Sequence, residues 1–168
     1  MFKKIDATAI PGNFAERISK QWALVTAGTP EACNSMTVSW GGFGFIWNAP
    51  VSTIYIRPQR YTKPLIDENE FYTVSFLPEQ YRKELTYMGR HSGADGDKFA
   101  ATGLTVAYAD CGAPYIAEAE LVLVCRKQFC QPMLEDSFVD PEVVSACYPE
   151  KDFHYLYIGK IVEALERV

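Results

Sequence analysis

The chain has 168 residues, enough for one domain with a sizeable core and too few for two. A formal net charge of -5 argues against the basic face that nucleic-acid binding requires, and an aromatic content of 14% favours strands. One mainly β domain over residues 1–168 is expected, with no nucleic-acid partner.

The N-terminal Met-Phe-Lys-Lys-Ile-Asp is followed by no long apolar run, and no stretch of about 18 apolar residues occurs anywhere. Neither export nor membrane insertion is expected, which leaves the cytoplasm. In chain order, the patterning predicts a helical turn over Ala15–Lys20, then strands over Trp22–Ala27, Ser35–Trp40 and Val51–Arg57. A helix over Pro64–Glu70 follows, with Thr62 or Lys63 at its cap, and then a strand over Phe71–Phe76. Pro78–Met88 reads as an amphipathic helix, because Tyr81, Leu85 and Met88 recur on one face between Pro78 and Gly89. A short helix is expected from Asp97, and strands over Leu104–Tyr108, Ala117–Phe129 and His154–Ala164. This alternation of short strands and turns suits a closed or nearly closed antiparallel barrel. The acidic segment 131–151 shows no clear periodicity and is a candidate cover for one barrel mouth.

Cys33, Cys111, Cys125, Cys130 and Cys147 are odd in number and lack C-x-x-C spacing, so they read as reduced thiols. His91 and His154 are the only histidines and nothing near them has ligand spacing, so no metal is expected. Dinucleotide-fold and P-loop glycine patterns, the nucleophile elbow and the zinc-protease motif are all missing.

Chemistry concentrates between residues 31 and 63, where Arg57, Arg60 and Lys63 face Glu31 as the only acid. On a strand, Ser35, Thr37 and Ser39 share one face while Met36, Val38 and Trp40 share the other. The hydroxyl row fits a ligand wall, and it equally fits a strand with one face in water. The run Arg57-Pro58-Gln59-Arg60-Tyr61-Thr62-Lys63 supplies charge-assisted donors and a hydroxyl ahead of a helix, which suits a phosphate group or a solvated basic turn. A third cluster, Gly89-Arg90-His91-Ser92-Gly93 through Asp97-Lys98-Phe99, is glycine-rich enough to bring backbone close to a planar ligand.

Taken in order, Asn34-Ser35-Met36-Thr37-Val38-Ser39-Trp40, Ile56-Arg57-Pro58 with Arg60-Tyr61-Thr62-Lys63, Val74-Ser75-Phe76, and His91-Ser92-Gly93 with Lys98 resemble the flavin-reductase-like, FMN-binding split-barrel family, flavoredoxin-type members above all. The resemblance covers roughly residues 10–130. It implies a six-stranded antiparallel Greek-key split barrel with flanking helices, paired as a homodimer with FMN near the subunit interface. It implies that Asn34, Met36 and Ser39 line the flavin, with Ser35 and Thr37 on the phosphate arm and Val38 to Trp40 at the ring edge. Arg57, Arg60, Tyr61, Thr62 and Lys63 would surround the phosphate, while His91, Ser92, Gly93 and Lys98 would close over the ring or reach it from a neighbouring subunit. The implied activity is NAD(P)H-dependent flavin reduction or flavoredoxin-like electron transfer, with a redox protein as a further partner and no designated acid-base residue. A non-catalytic FMN-binding module and a pyridoxamine-phosphate-oxidase-like enzyme are the alternatives.

Overall fold

The computed structural model describes all residues, 1–168. Its principal sheet holds eight strands: β1 (Phe2–Ile5), β2 (Ala23–Gly28), β3 (Cys33–Val38), β4 (Gly41–Ile46), β5 (Ala49–Ile56), β6 (Phe71–Phe76), β9 (Leu121–Pro132) and β10 (Tyr155–Arg167). Two further strands, β7 (Val106–Tyr108) and β8 (Pro114–Ile116), pair only with each other. The order is β3-β2-β6-β9-β10-β5-β4, with β1 on β10, and every pairing is antiparallel. The short helix α1 (Phe14–Glu16) precedes β2; the last two long strands insert between β6 and β5, and helix α2 (Thr62–Glu68) carries the chain across that gap.

The sheet curls onto itself. Met36 and Val38 of β3 lie at one end of the strand order and Ile54 and Ile56 of β5 near the other, yet all four join one buried cluster with Val74, Phe76, Leu123 and Ile161. No backbone ladder joins β3 to β4 or β5, so the barrel is split along that line. A second core covers the outer face. There Leu85 and Met88 of helix α3 (Arg82–Arg90) pack with Leu24, Val122, Val124 and Leu165. With both faces covered, β2 is buried along its whole length. No helix is long and apolar enough to cross a membrane.

The mainly β class agrees with the sequence reading, whereas the strand count exceeds both the seven runs predicted and the six barrel strands implied. The additional strands are β1, β4 and β8. The sequence Gly41-Gly42-Phe43-Gly44 reads as loop because glycine is a poor strand former. In the fold Gly41 and Gly42 serve close approach: a Cβ on Gly42 would lie 2.3 Å from Oγ1 of its cross-strand partner Thr53. The predicted strand 35–40 is displaced to Cys33–Val38, leaving Ser39 and Trp40 at the corner into β4. Thr62 does not cap α2. It is the first helical residue, and its hydroxyl accepts from Asn34 instead. Segment 131–151 resolves into the end of β9, a turn at Glu135–Ser137 and helix α5 (Pro141–Cys147).

Candidate functional site

Two adjoining cavities open where the barrel is split. A trough of about 220 Å³ runs along Met36, Thr37, Val38, Ser39 and Trp40 on one side, with Tyr55, Arg57, Arg60 and His154 on the other. A second cavity of about 150 Å³ gathers Asn34, Met36, Arg60, Tyr61, Thr62, His91, Ser92, Gly93 and Lys98, together with Gln59 and Arg90. Met36 and Arg60 border both. Residues far apart in sequence therefore meet because β3, the turn before α2 and the loop after α3 converge on one end of the barrel.

Only part of the hydroxyl row borders the trough: Thr37 and Ser39 do, and Ser35 does not. Ser35 is fully buried, where its Oγ accepts from Thr26 Oγ1 at 3.0 Å and lies 3.3 Å from the Val25 carbonyl. Thr37 donates to the carbonyl of Leu85 in α3, although it also borders the trough. Alternation separates the two faces of β3 correctly, but α3 covers the hydroxyl face. The other face carries Asn34, whose amide donates to Thr62 Oγ1 at 2.8 Å, and Met36.

The cations divide into two groups. Arg57 pairs with Asp152, donates to the Cys147 carbonyl at 2.9 Å and lies over the Tyr148 ring. Lys63 pairs with Asp67 at 2.7 Å and sits 3.9 Å from the Tyr155 ring centroid, outside both cavities. Both have a carboxylate partner within the chain; Arg57 still borders the trough, and Lys63 borders neither cavity. Arg60, Arg90 and Lys98 have no carboxylate partner.

Arg60 and Lys98 are held by backbone carbonyls at the C-terminal end of α3. Arg60 Nη1 donates to Gly89 O at 3.1 Å, and Lys98 Nζ donates to Met88 O at 2.9 Å and His91 O at 3.2 Å. Unpaired helix-end carbonyls suit cations, so these bonds explain the placement of both groups. They leave most of the guanidinium donors and one ammonium donor without an acceptor in the chain. Lys98 is only 4% exposed, and burial first, then the neighbouring Arg60 charge, pushes its pKa down to about 8. Burial likewise lowers that of Arg60. Two crowded cations facing one cavity without a counter-ion have the donor chemistry of an anion site, above all for a phosphate.

The rest of the loop is preorganised. Asp97 accepts from Phe99 N and Ala100 N at 2.9 and 3.0 Å, capping helix α4 (Lys98–Thr102) and fixing where Lys98 starts. Asp95 accepts from Ser92 N at 3.3 Å, and His91 stacks on Tyr87 with ring centroids 3.8 Å apart. Gly93 passes so close that a Cβ there would lie 2.7 Å from Asn34 Oδ1 and 2.5 Å from Tyr61 Cδ1.

Of the predicted site residues, only Ser35 and Lys63 border neither cavity. Gln59, Arg90, Tyr55 and His154 were not anticipated. Arg90 had a signal, since it sits inside the Gly89-Arg90-His91 run. His154 had none, because an alternating strand context reads as core. Burial, and secondly the Arg57 charge, lower its pKa to about 4, so it stays neutral near physiological pH.

The sequence matches the family model described as the flavin reductase like domain over residues 15–167. Among solved structures, the flavoredoxin from Methanosarcina acetivorans aligns with a TM-score of 0.68 and 24% identity, covering 88% of this chain and 68% of that one. The FMN-binding protein from Thermus thermophilus with bound 1-cyclohex-2-enone gives a TM-score of 0.69 and 21% identity, covering 98% and 80%. A putative flavin reductase with a split barrel domain from Shewanella frigidimarina gives 0.68 and 21%, covering 94% and 75%. No curated protein matches the chain.

Proposed function

The chain belongs to the flavin reductase like family, and we propose that it is an FMN-binding oxidoreductase using NADH or NADPH as electron donor. The observation that carries this reading is the pair of a half-buried Arg60 and a buried Lys98, neighbours with no carboxylate between them. A phosphate monoester supplies the missing charge, and the adjoining trough supplies a wall for a flat ring system. In this reading Arg60, Lys98 and Arg90 bind the phosphate and Thr62 and Ser92 border it, while Met36 and Val38–Trp40 border the ring. When bound, FMN supplies the two-electron redox chemistry, which is the cofactor's own.

The protein's part is to hold and orient. The side chains of the trough would keep the ring in place and its surroundings partly dry, a binding and orienting role that calls for no acid-base residue. His154 contributes a neutral edge rather than a charge. A cytoplasmic homodimer is part of the same proposal. The pairing is supported by the exposed Phe45, Ile46 and Trp47 on β4 and its turn, at the unpaired edge of the sheet.

The test is spectroscopic. The purified protein should take up FMN, turn yellow, and bleach when NADH or NADPH is added without oxygen. A stable yellow colour would make the protein a flavin binder or carrier instead, and failure to take up FMN would remove both readings.

A pH dependence follows from Lys98. Its pKa of about 8 in the folded chain lies below the ordinary 10.5, so between those values the unfolded chain holds the extra proton. This residue therefore disfavours the free fold below about pH 8 and ceases to do so as pH rises towards 10.5. Anion binding runs the opposite way, because a phosphate favours the protonated amine. FMN affinity should fall about tenfold between pH 7 and 9.5, with proton uptake on binding near pH 8. Fluorescence titration across that range checks it, and a flat profile would separate Lys98 from the phosphate.

A further inference from the structure

We propose that the apolar pocket between α5 and the corner of β3 and β4 is the subsite for an uncharged, flat ring compound that meets the flavin site from the cap side. This deepens the reading above and rests on it. The pocket measures about 470 Å³, within the range of small-molecule sites, and is walled by Trp40, Tyr55, Met133, Phe138, Val143 and Tyr148. It shares Ser39, Trp40 and Tyr55 with the trough, so a ring seated in it lies against whatever fills the trough.

Four observations fix the chemistry of the occupant. First, no charged side chain lines the pocket. A carboxylate or phosphate placed there would lose its water without gaining a partner. Second, Arg57, the cation that ties the cap to the barrel, is already bound to Asp152, the Cys147 carbonyl and the Tyr148 ring, and Lys151 within the cap is paired with Glu135. The phosphates of a nicotinamide dinucleotide therefore find no donor here. Third, Trp40 is 46% exposed and Val143 40% exposed, so large apolar surface is available where the walls face each other. Fourth, those walls are held in place. Phe138, Tyr148 and Phe153 form a mutual aromatic cluster with centroids 4.9–5.6 Å apart, and Gln59 adds a second bond to Asp152 at 2.7 Å. Segment 133–153 is thus clasped to the barrel by Arg57, and its apolar side completes the pocket.

Isothermal titration of the FMN-loaded protein with 2-naphthol and with 2-naphthoate tests this, the two probes sharing one ring system and differing in charge. We expect 2-naphthol to bind at least about tenfold more tightly than 2-naphthoate. Val143→Asp should weaken 2-naphthol at least about tenfold while Val143→Leu retains it, since residue 143 lies on a partly exposed helix face. FMN titration of each variant, with its thermal melt, shows that the barrel is intact. Equal affinity for both probes, or a Val143→Asp protein that binds 2-naphthol normally, overturns the proposal. So does a wild-type protein that ignores 2-naphthol while Val143→Asp splits a dimer, which would assign the face to a second copy. Failure of FMN uptake is a separate result bearing on the flavin reading, because 2-naphthol binding is also measured without FMN.

Discussion

Replacing Arg60 with alanine should weaken FMN binding by about 1.5–3 kcal/mol, roughly 10- to 150-fold, the usual range for a charge-assisted bond to a phosphate. The substitution is well suited to the question because Arg60 does little else for the fold. Its only hydrogen bond within the chain is to Gly89 O at 3.1 Å, so the thermal melt should stay close to wild type. Removing its charge also relieves Lys98, whose pKa then moves back up from about 8. Burial, the larger cause of its depression, remains, so Lys98 keeps its proton only somewhat further up the pH scale, and the variant should show a weaker decline of FMN affinity between pH 7 and 9.5. Arg60→Lys should be intermediate, keeping charge but losing the forked donors. Unchanged affinity in Arg60→Ala, read by flavin fluorescence quenching, would take Arg60 out of the site.

Gly28→Ala carries the largest expected cost in stability. Gly28 ends β2 at φ +124, a conformation that L side chains rarely adopt, and an added Cβ would fall 2.1 Å from the Ala32 carbonyl oxygen and 2.6 Å from Cys33 Cα. Both neighbours are backbone, so no rotamer change relieves the clash. Strain and overpacking together should cost about 3 kcal/mol, lowering the melting temperature of a chain this size by about 6–12 °C. The damage reaches the site because this hairpin sets the register of β3, pairing Thr26 with Ser35 and aiming Asn34 at Thr62. FMN affinity should fall along with the melt. A melting temperature within about 1 °C of wild type would mean that the turn adapts in another way.

What the sequence revealed was governed by locality. The strands β2, β5, β6, β9 and β10 are legible because alternating or continuous apolar runs of β-branched and aromatic residues leave few alternatives. The cluster Arg57–Lys63 was visible as a concentration of charge, but its division was not. Arg57 is neutralised by Asp152, 95 residues away, and no local pattern records that meeting. Lys63 finds Asp67 one helical turn on, a spacing that was open to inspection once α2 was placed. The two faces of β3 were predicted correctly, but the environment of the hydroxyl face was not. Alternation distinguishes two sides and cannot say that α3 will cover one of them. Likewise β4 hid behind glycines whose use, close approach to Thr53, exists only after the strands pair. The aromatic cap was beyond reach for the same reason, since Trp40, Tyr55, Phe138 and Tyr148 come from three distant stretches of chain.

Equilibrium titration of the same protein with FMN and with riboflavin, which differ only by the phosphate, is the most direct measurement. If the unpaired Arg60 and Lys98 serve a phosphate, FMN should bind about a hundredfold more tightly at pH 7, and the gap should shrink about tenfold or more in Arg60→Ala. Equal affinities for the two flavins would contradict it, leaving the two cations as caps for the carbonyls of α3 and nothing more.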